Sequence, residues 1–251
     1  MKLKYYPLLL LSFFACDSDS DMATPSSPES GSVGTGGSLA RFTISNDHLY
    51  AVDAHRMLTF SLANEMSPSK VDEFDLEWGV ETIFAMDTIV FVGTQTGMHM
   101  FDISEQSRPA YLSNYEHIQS CDPVVAQDTL AFVTLRSGTS CRNGLDQLDV
   151  INISDVKNPQ LINSYEMQNP HGLAVDGNLL FVTEGQFGLK VYKILPSGSL
   201  ELIKFYNEIR SKDIIVQPND LLIVVAEDGL FQYNYSDINN IRLLSQINIE
   251  Y

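Results

Sequence analysis

The chain has 251 residues, with 32 acidic against 15 basic side chains for a formal net charge of −17, and 44% of it is hydrophobic. An acidic surface of that size repels phosphate backbones, which argues against nucleic acid as a partner. The longest apolar run, Tyr5 to Ala15, is about half of the roughly 20 residues needed to cross a bilayer, so it is not a permanent span.

That run follows a basic start, Met1-Lys2-Leu3-Lys4, and ends at a small residue before Cys16, the arrangement of a cleaved signal peptide over residues 1–15. The stretch Phe13-Phe14-Ala15-Cys16 resembles a lipobox, which implies that Cys16 is acylated and becomes the new N-terminus. More than one acyl chain, at about 0.8 kcal/mol per buried CH₂, holds a protein firmly to a membrane surface. Residues 16–38 are Asp, Ser, Pro, Gly and Thr with almost nothing to bury, and are expected to form a flexible tether. The cluster Asp17-Ser18-Asp19-Ser20-Asp21 resembles the acidic export signal of surface lipoproteins in the Bacteroidota, which implies a lipid-anchored position at the outer membrane or cell surface. With Cys16 acylated, Cys121 and Cys141 remain as an expected disulfide in an oxidising compartment.

From residue 39 the chain repeats itself. Apolar strands ending in Val recur as Leu49-Tyr50-Ala51-Val52, Ile89-Val90-Phe91-Val92, Leu130-Ala131-Phe132-Val133, Leu179-Leu180-Phe181-Val182 and Leu221-Leu222-Ile223-Val224. Each is preceded by hairpin-turn residues: Asn46-Asp47, Asp87, Asp128, Asp176-Gly177-Asn178 and Asn219-Asp220. The strands that follow begin at Met57, Met98, Leu148, Leu189 and Leu230, and three of the four spacings between them are 41 residues. The longer spacing places an insertion in the third unit. Short segments rich in Val, Ile, Phe and Tyr, bounded by turns and lacking a 3.6-residue stripe, exclude helical repeats. A period near 40 with four strands per unit predicts an all-β fold, a β-propeller of about five four-stranded blades over 39–76, 77–117, 118–168, 169–209 and 210–251. With no strand left over to complete a blade across the seam, ring closure is expected to rest on apolar packing between the first and fifth blades.

The segments Met98-His99-Met100-Phe101-Asp102-Ile103-Ser104 and Leu148-Asp149-Val150-Ile151-Asn152-Ile153-Ser154, followed by Arg108-Pro109 or Asn158-Pro159, resemble the LVIVD-repeat family of bacterial exported propellers. The resemblance covers all five units and identifies a blade type; it implies no ligand and no reaction.

Repeats in register let equivalent positions be compared within one chain. Eight residues before each second strand stand Arg41, Glu81, Asp122, His171 and Asp213, all ionisable. In a propeller the first strand is innermost, so these side chains are expected to ring one mouth of the central channel. There they would hold a polar ligand or a calcium ion, or simply stand in water. Nearby carboxylates are expected to favour protonated His171, making binding depend on pH between about 5 and 8. The loops at the same mouth bring Gln95-Thr96-Gly97, Glu184 to Gly188 and Glu227-Asp228-Gly229, where Gly is expected to supply positive φ and the carboxylates to be exposed. Trp78, the lone tryptophan, is expected to pack between blades.

No zinc-ligand spacing, HExxH or G-x-S-x-G pattern occurs, so no catalytic residue and no resident metal or cofactor is assigned. The reading that follows is a tethered binding module for a protein or glycan of the cell envelope. The alternative is a metal-assisted hydrolase or lactonase-like propeller, against which Arg41 stands as a positive charge in the ring.

Overall fold

A computed structural model describes residues 36–116, 123–137 and 145–249. Cys16, Cys121, Asp122 and Cys141 lie outside them, as do the expected signal peptide and nearly all of the expected tether. Among the described residues twenty strands form five antiparallel sheets of four, the five-bladed propeller that the repeats predict.

Blade 1 holds β1 (Phe42–Ser45), β2 (His48–Val52), β3 (Arg56–Ser61) and β4 (Ser69–Asp75). Blade 2 holds β5 (Val80–Met86), β6 (Ile89–Thr94), β7 (Gly97–Asp102) and β8 (Ala110–Glu116). Blade 3 holds β9 (Val124–Gln127), β10 (Leu130–Leu135), β11 (Gln147–Asn152) and β12 (Gln160–Glu166). Blade 4 holds β13 (Leu173–Asp176), β14 (Leu179–Thr183), β15 (Leu189–Ile194) and β16 (Leu200–Tyr206). Blade 5 holds β17 (Asp213–Gln217), β18 (Leu221–Val225), β19 (Gly229–Asn234) and β20 (Arg242–Asn248).

Three local devices repeat. Asn46, Asp87, Asp128, Gly177 and the pair Asn219-Asp220 take positive φ in the first hairpin of each blade, the conformation these residue types tolerate best. At the end of the third strand, Asp102, Asn152 and Asn234 turn a side-chain oxygen back to accept the amide of Ser104, Ser154 and Ser236. This Asx bond is the physical content of the Asp-Ile-Ser ending, and it stops the strand. Between third and fourth strands every blade carries a register shift, at Thr59/Phe60, Met100/Phe101, Val150/Ile151, Val191/Tyr192 and Gln232/Tyr233. Such bulges add local twist to the outer edge of each blade.

The third residue of each second strand anchors its blade to the next. Tyr50, Phe91, Phe132 and Phe181 are fully buried in the apolar clusters joining blades 1–2, 2–3, 3–4 and 4–5. Burial of one such side chain contributes about 1.5–3 kcal/mol. The fifth equivalent, Ile223, stays half-buried. On the facing side of blade 1, Phe42 is 59% exposed and Ile44 36%.

Among the described residues no buried apolar cluster joins blade 5 to blade 1, so the expected apolar seal is not what meets at the seam. Polar contacts stand there instead. Ser38, the last residue of the expected tether, is buried: its Oγ accepts the amide of Leu173 at 2.8 Å and donates to Asp213 Oδ1 at 3.1 Å. The Leu39 amide approaches Asp213 Oδ2 at 3.4 Å. The incoming chain is thereby fastened to the inner strands of blades 4 and 5.

Candidate functional site

The four described members of the expected ring do not share one environment. Asp213 is the most altered. At 8% exposed it accepts bonds from Ser38, Leu39 and its own neighbour Ile214, so it holds chain and is not presented to a ligand. Burial pushes its carboxyl up, and the amide and hydroxyl donors hold it partly down. Gly172 makes room for it: a Cβ there would stand 2.1 Å from Asp213 Oδ1.

Arg41 and Glu81 lie together in a shallow hollow of about 430 Å³ with Leu39, Gly79 and Gln95. Glu81 is the extra residue of a bulge, where Val80 pairs with Thr94 and Thr82 with Gly93, and the bulge re-aims its side chain. It accepts from Gln95 Nε2 at 3.3 Å; burial raises its pKa, against the lowering pull of that bond, Arg136 and Arg41. Arg41 donates from Nη2 to the Val80 carbonyl at 3.3 Å. Trp78 does not pack between blades: it is 75% exposed and stacks on His55 with centroids 4.6 Å apart.

His171 lines a separate cavity of about 490 Å³ between blades 4 and 5, with Asn169, Gln186, Arg210, Lys212 and Glu227. Its neighbours are the reverse of those expected. Arg136 Nη1 stands 3.2 Å from Nδ1 and 3.4 Å from Nε2. Burial first, then Arg136 and Lys212, push the imidazole down to about 4, and the opposing carboxylates Glu227 and Asp146 do not make up the difference. His171 is therefore neutral across the pH range in which it was expected to switch. Asn169 Nδ2 lies 3.1 Å from Nε2 and donates to it, as a neutral ring allows.

Two features hold this corner. Thr134 Oγ1 donates to the His171 carbonyl at 2.7 Å, tying blade 3 to blade 4. Gly185, at φ +57°, passes so close that a Cβ would meet His171 Nε2 and Asn169 Nδ2 at 2.9 Å.

The loop carboxylates also divide. Glu227 forms an exposed pair with Lys212 at 2.9 Å. Glu184, expected at the surface, is fully buried: it accepts the Gln168 amide at 2.8 Å and pairs with Lys190 at 3.0 Å, making it a strut. The loop glycines differ as well. Gly188 has φ +122°, whereas Gly97 is needed for closeness and not for positive φ, because a Cβ would stand 2.3 Å from the Tyr115 carbonyl oxygen.

Comparison of first-strand starts missed Arg136, Arg210 and Lys212. A signal for Arg136 existed: six residues on from the start of each second strand stand His55, Gln95, Arg136, Gly185 and Glu227, which are polar or glycine in all five units. Those strand ends return to the mouth beside the first-strand starts.

No family model matches the chain, and no curated protein matches it. Solved structures match its fold. A protein from Lactobacillus plantarum aligns with TM-score 0.64 at 14% identity, covering 81% of this chain and 69% of that one. The periplasmic gluconolactonase PpgL of Pseudomonas aeruginosa aligns with TM-score 0.62 at 12% identity, covering 83% and 68%. The computationally designed protein Ika8 aligns with TM-score 0.60 at 14% identity, covering 82% and 60%. At these identities the likeness is one of β-propeller fold.

Proposed function

We propose that this chain is an exported binding module, anchored through an acylated Cys16 at the outer membrane or cell surface. In this reading its propeller offers the cavity around His171 to an anionic group of an envelope protein or glycan. The observation that carries it is a local gathering of cationic side chains. On a chain of net charge −17, Arg210 and Lys212 line one hollow of about 490 Å³ together with Glu227 and Asp228, and Arg136 stands against the neutral imidazole of His171 at its wall. An anion would find donors there from the guanidinium, ammonium and amide groups. The Lys212–Glu227 pair is exposed and of little strength, so a ligand carboxylate or phosphate has a modest competitor.

The test is capture of envelope components by the tethered chain, comparing wild type with Arg210→Ala and Lys212→Ala. Loss of the captured species in both variants supports the reading; unchanged capture defeats it.

A second reading, a lactonase-like hydrolase, draws on the fold likeness to the periplasmic gluconolactonase. A calcium ion would be its expected cofactor, near Glu81. The nearby Arg41 and Arg136 oppose a cation electrostatically. Lactone hydrolysis and calcium-dependent stabilisation separate the two readings, since an ion at 100 times its Kd adds about 2.7 kcal/mol.

A further inference from the structure

A second hollow, of about 470 Å³, lies in the outer cleft between blades 1 and 2, away from the cavity around His171. The strands dictate its lining. His99 and Phe101 alternate onto the face of β7 that meets blade 1, Asn114 sits opposite His99 in β8, and Tyr111 opposite Phe101. From blade 1, Phe74 at the end of β4 reaches across. Its ring lies 8° from parallel to that of Tyr111 with centroids 5.9 Å apart, and it meets Phe101 edge-on at 4.9 Å.

Three carboxylates, Asp75, Glu77 and Glu116, complete the lining, which contains no lysine or arginine. Glu77 is held by a short bond from Thr96 Oγ1, and Glu116 accepts from Asn114 Nδ2 at 3.2 Å. His99 is only 8% exposed, yet neither ring nitrogen makes a hydrogen bond, and Nε2 stands 3.5 Å from Glu77 Oε1. Glu77 is a long ion-pair neighbour of Nε2, whereas Nδ1 has no hydrogen-bond partner, and a ligand's N–H would supply the bond it lacks.

The field of the carboxylates reaches the rest of the pocket. Burial raises the Tyr111 hydroxyl and lowers His99, and Glu116 and Glu77 push both groups upward. A neutral sugar would leave these carboxylates uncompensated. A bare calcium ion would need six to eight oxygen ligands, where the hollow offers aromatic faces over much of its wall. A cation with an apolar stem satisfies all three features: carboxylates for its charge, rings for its face and stem, and an imidazole nitrogen for one N–H.

We propose that the cleft between blades 1 and 2 binds an organic cation, the ammonium or guanidinium of a lysine- or arginine-like side chain, between Glu77, Glu116, Tyr111 and His99. The site is independent of the anion reading at blades 4 and 5, and an envelope partner with basic side chains could engage it at the same time.

The experiment uses the folded chain, titrated with lysine amide, arginine amide and a short Lys/Arg peptide while His99 and Tyr111 are followed by NMR. Saturable shifts of both residues are expected. Binding of the amides alone assigns a free amine, and tighter binding of the peptide assigns a partner's side chain. Glu77→Gln and Glu116→Gln should each weaken binding about tenfold or more, equivalent to about 1.4 kcal/mol. Tyr111→Phe should retain it, because the ring face and not the hydroxyl meets the cation. Lys212→Ala should leave it unchanged, separating this result from the test of the other cavity. Absence of saturable shifts, equal shifts with glucose or calcium chloride, or full binding in Glu77→Gln and Glu116→Gln would overturn the proposal.

Discussion

Ser38 Oγ donates a 3.1 Å hydrogen bond to Asp213 Oδ1 across 175 residues of sequence, joining the segment before the first blade to the inner strand of the last. The same hydroxyl accepts the Leu173 amide, so a single side chain links the incoming segment with blades 4 and 5. It stands at the seam, where the described residues form no buried apolar cluster like those joining blades 1–2, 2–3, 3–4 and 4–5.

Ser38→Ala should therefore destabilise the domain by about 1–3 kcal/mol, the cost of leaving the buried Leu173 amide unsatisfied and of taking the hydroxyl donor from Asp213, which keeps the Leu39 and Ile214 amides. Denaturant unfolding measures it, and a change below a few tenths of a kcal/mol would remove Ser38 from the account of closure.

Asp213 also sets a pH trend. Its folded pKa is raised, chiefly by burial, so the unfolded chain loses this proton at lower pH than the folded one. The stability it contributes is fully present below the ordinary value of 3.8 and is lost as pH rises through the folded pKa. In Asp213→Asn that decline should vanish from a pH series of unfolding midpoints, although the amide faces Leu39 with a donor in place of an acceptor.

His171 should not titrate between pH 5 and 8 (about the window open to an unperturbed imidazole). Its folded pKa lies at about 4 against 6.5, so its contribution is full above 6.5 and is lost as pH falls toward 4. NMR titration of its Cε1 proton checks the value directly. Arg136→Ala and Lys212→Ala should each raise it; a wild-type midpoint near 6.5 would contradict the burial of the ring and its cationic neighbours.

Replacement of Lys190 by Met should cost about 3–5 kcal/mol, because it leaves the fully buried Glu184 carboxylate without its counter-charge. A double replacement, Lys190→Met with Glu184→Gln, should recover part of that loss in thermal unfolding. Failure of the second change to recover any stability would mean that the carboxylate is not the source of the cost.

Cysteine chemistry tests the expectations for residues beyond those described. A disulfide between Cys121 and Cys141 closes a loop of about 20 residues, for roughly 3 kcal/mol on the chain-entropy relation, and predicts no titratable thiol from either in the unfolded, unreduced protein. Cys16→Ala should move the chain from the membrane to a soluble fraction. Two reactive thiols, or retention in the membrane with the signal removed, would refute the respective expectations.

The sequence by itself determined what depends on short-range regularity. Alternating Val, Ile, Phe and Tyr specify strands, and Asn46, Asp87, Asp128 and Gly177 specify the hairpins, because strand pleat and turn φ are set by residues one or two apart. Their recurrence near every 41 residues then determined the blade count. That Tyr50, Phe91, Phe132 and Phe181 anchor one blade to the next was decided by packing between sheets. Equivalence in the repeat did not determine chemistry. Arg41, Glu81, His171 and Asp213 occupy one register position, yet one is exposed, two are half-buried and one is enclosed. What surrounds each comes from distant chain: Ser38 lies against Asp213, Arg136 lies 35 residues from His171, and Glu77 meets His99 from the neighbouring blade's connection. Charge acts through space and through local burial, so the sign of the field at His171, and the pairing of Glu184, were decided only when the tertiary structure brought those side chains together.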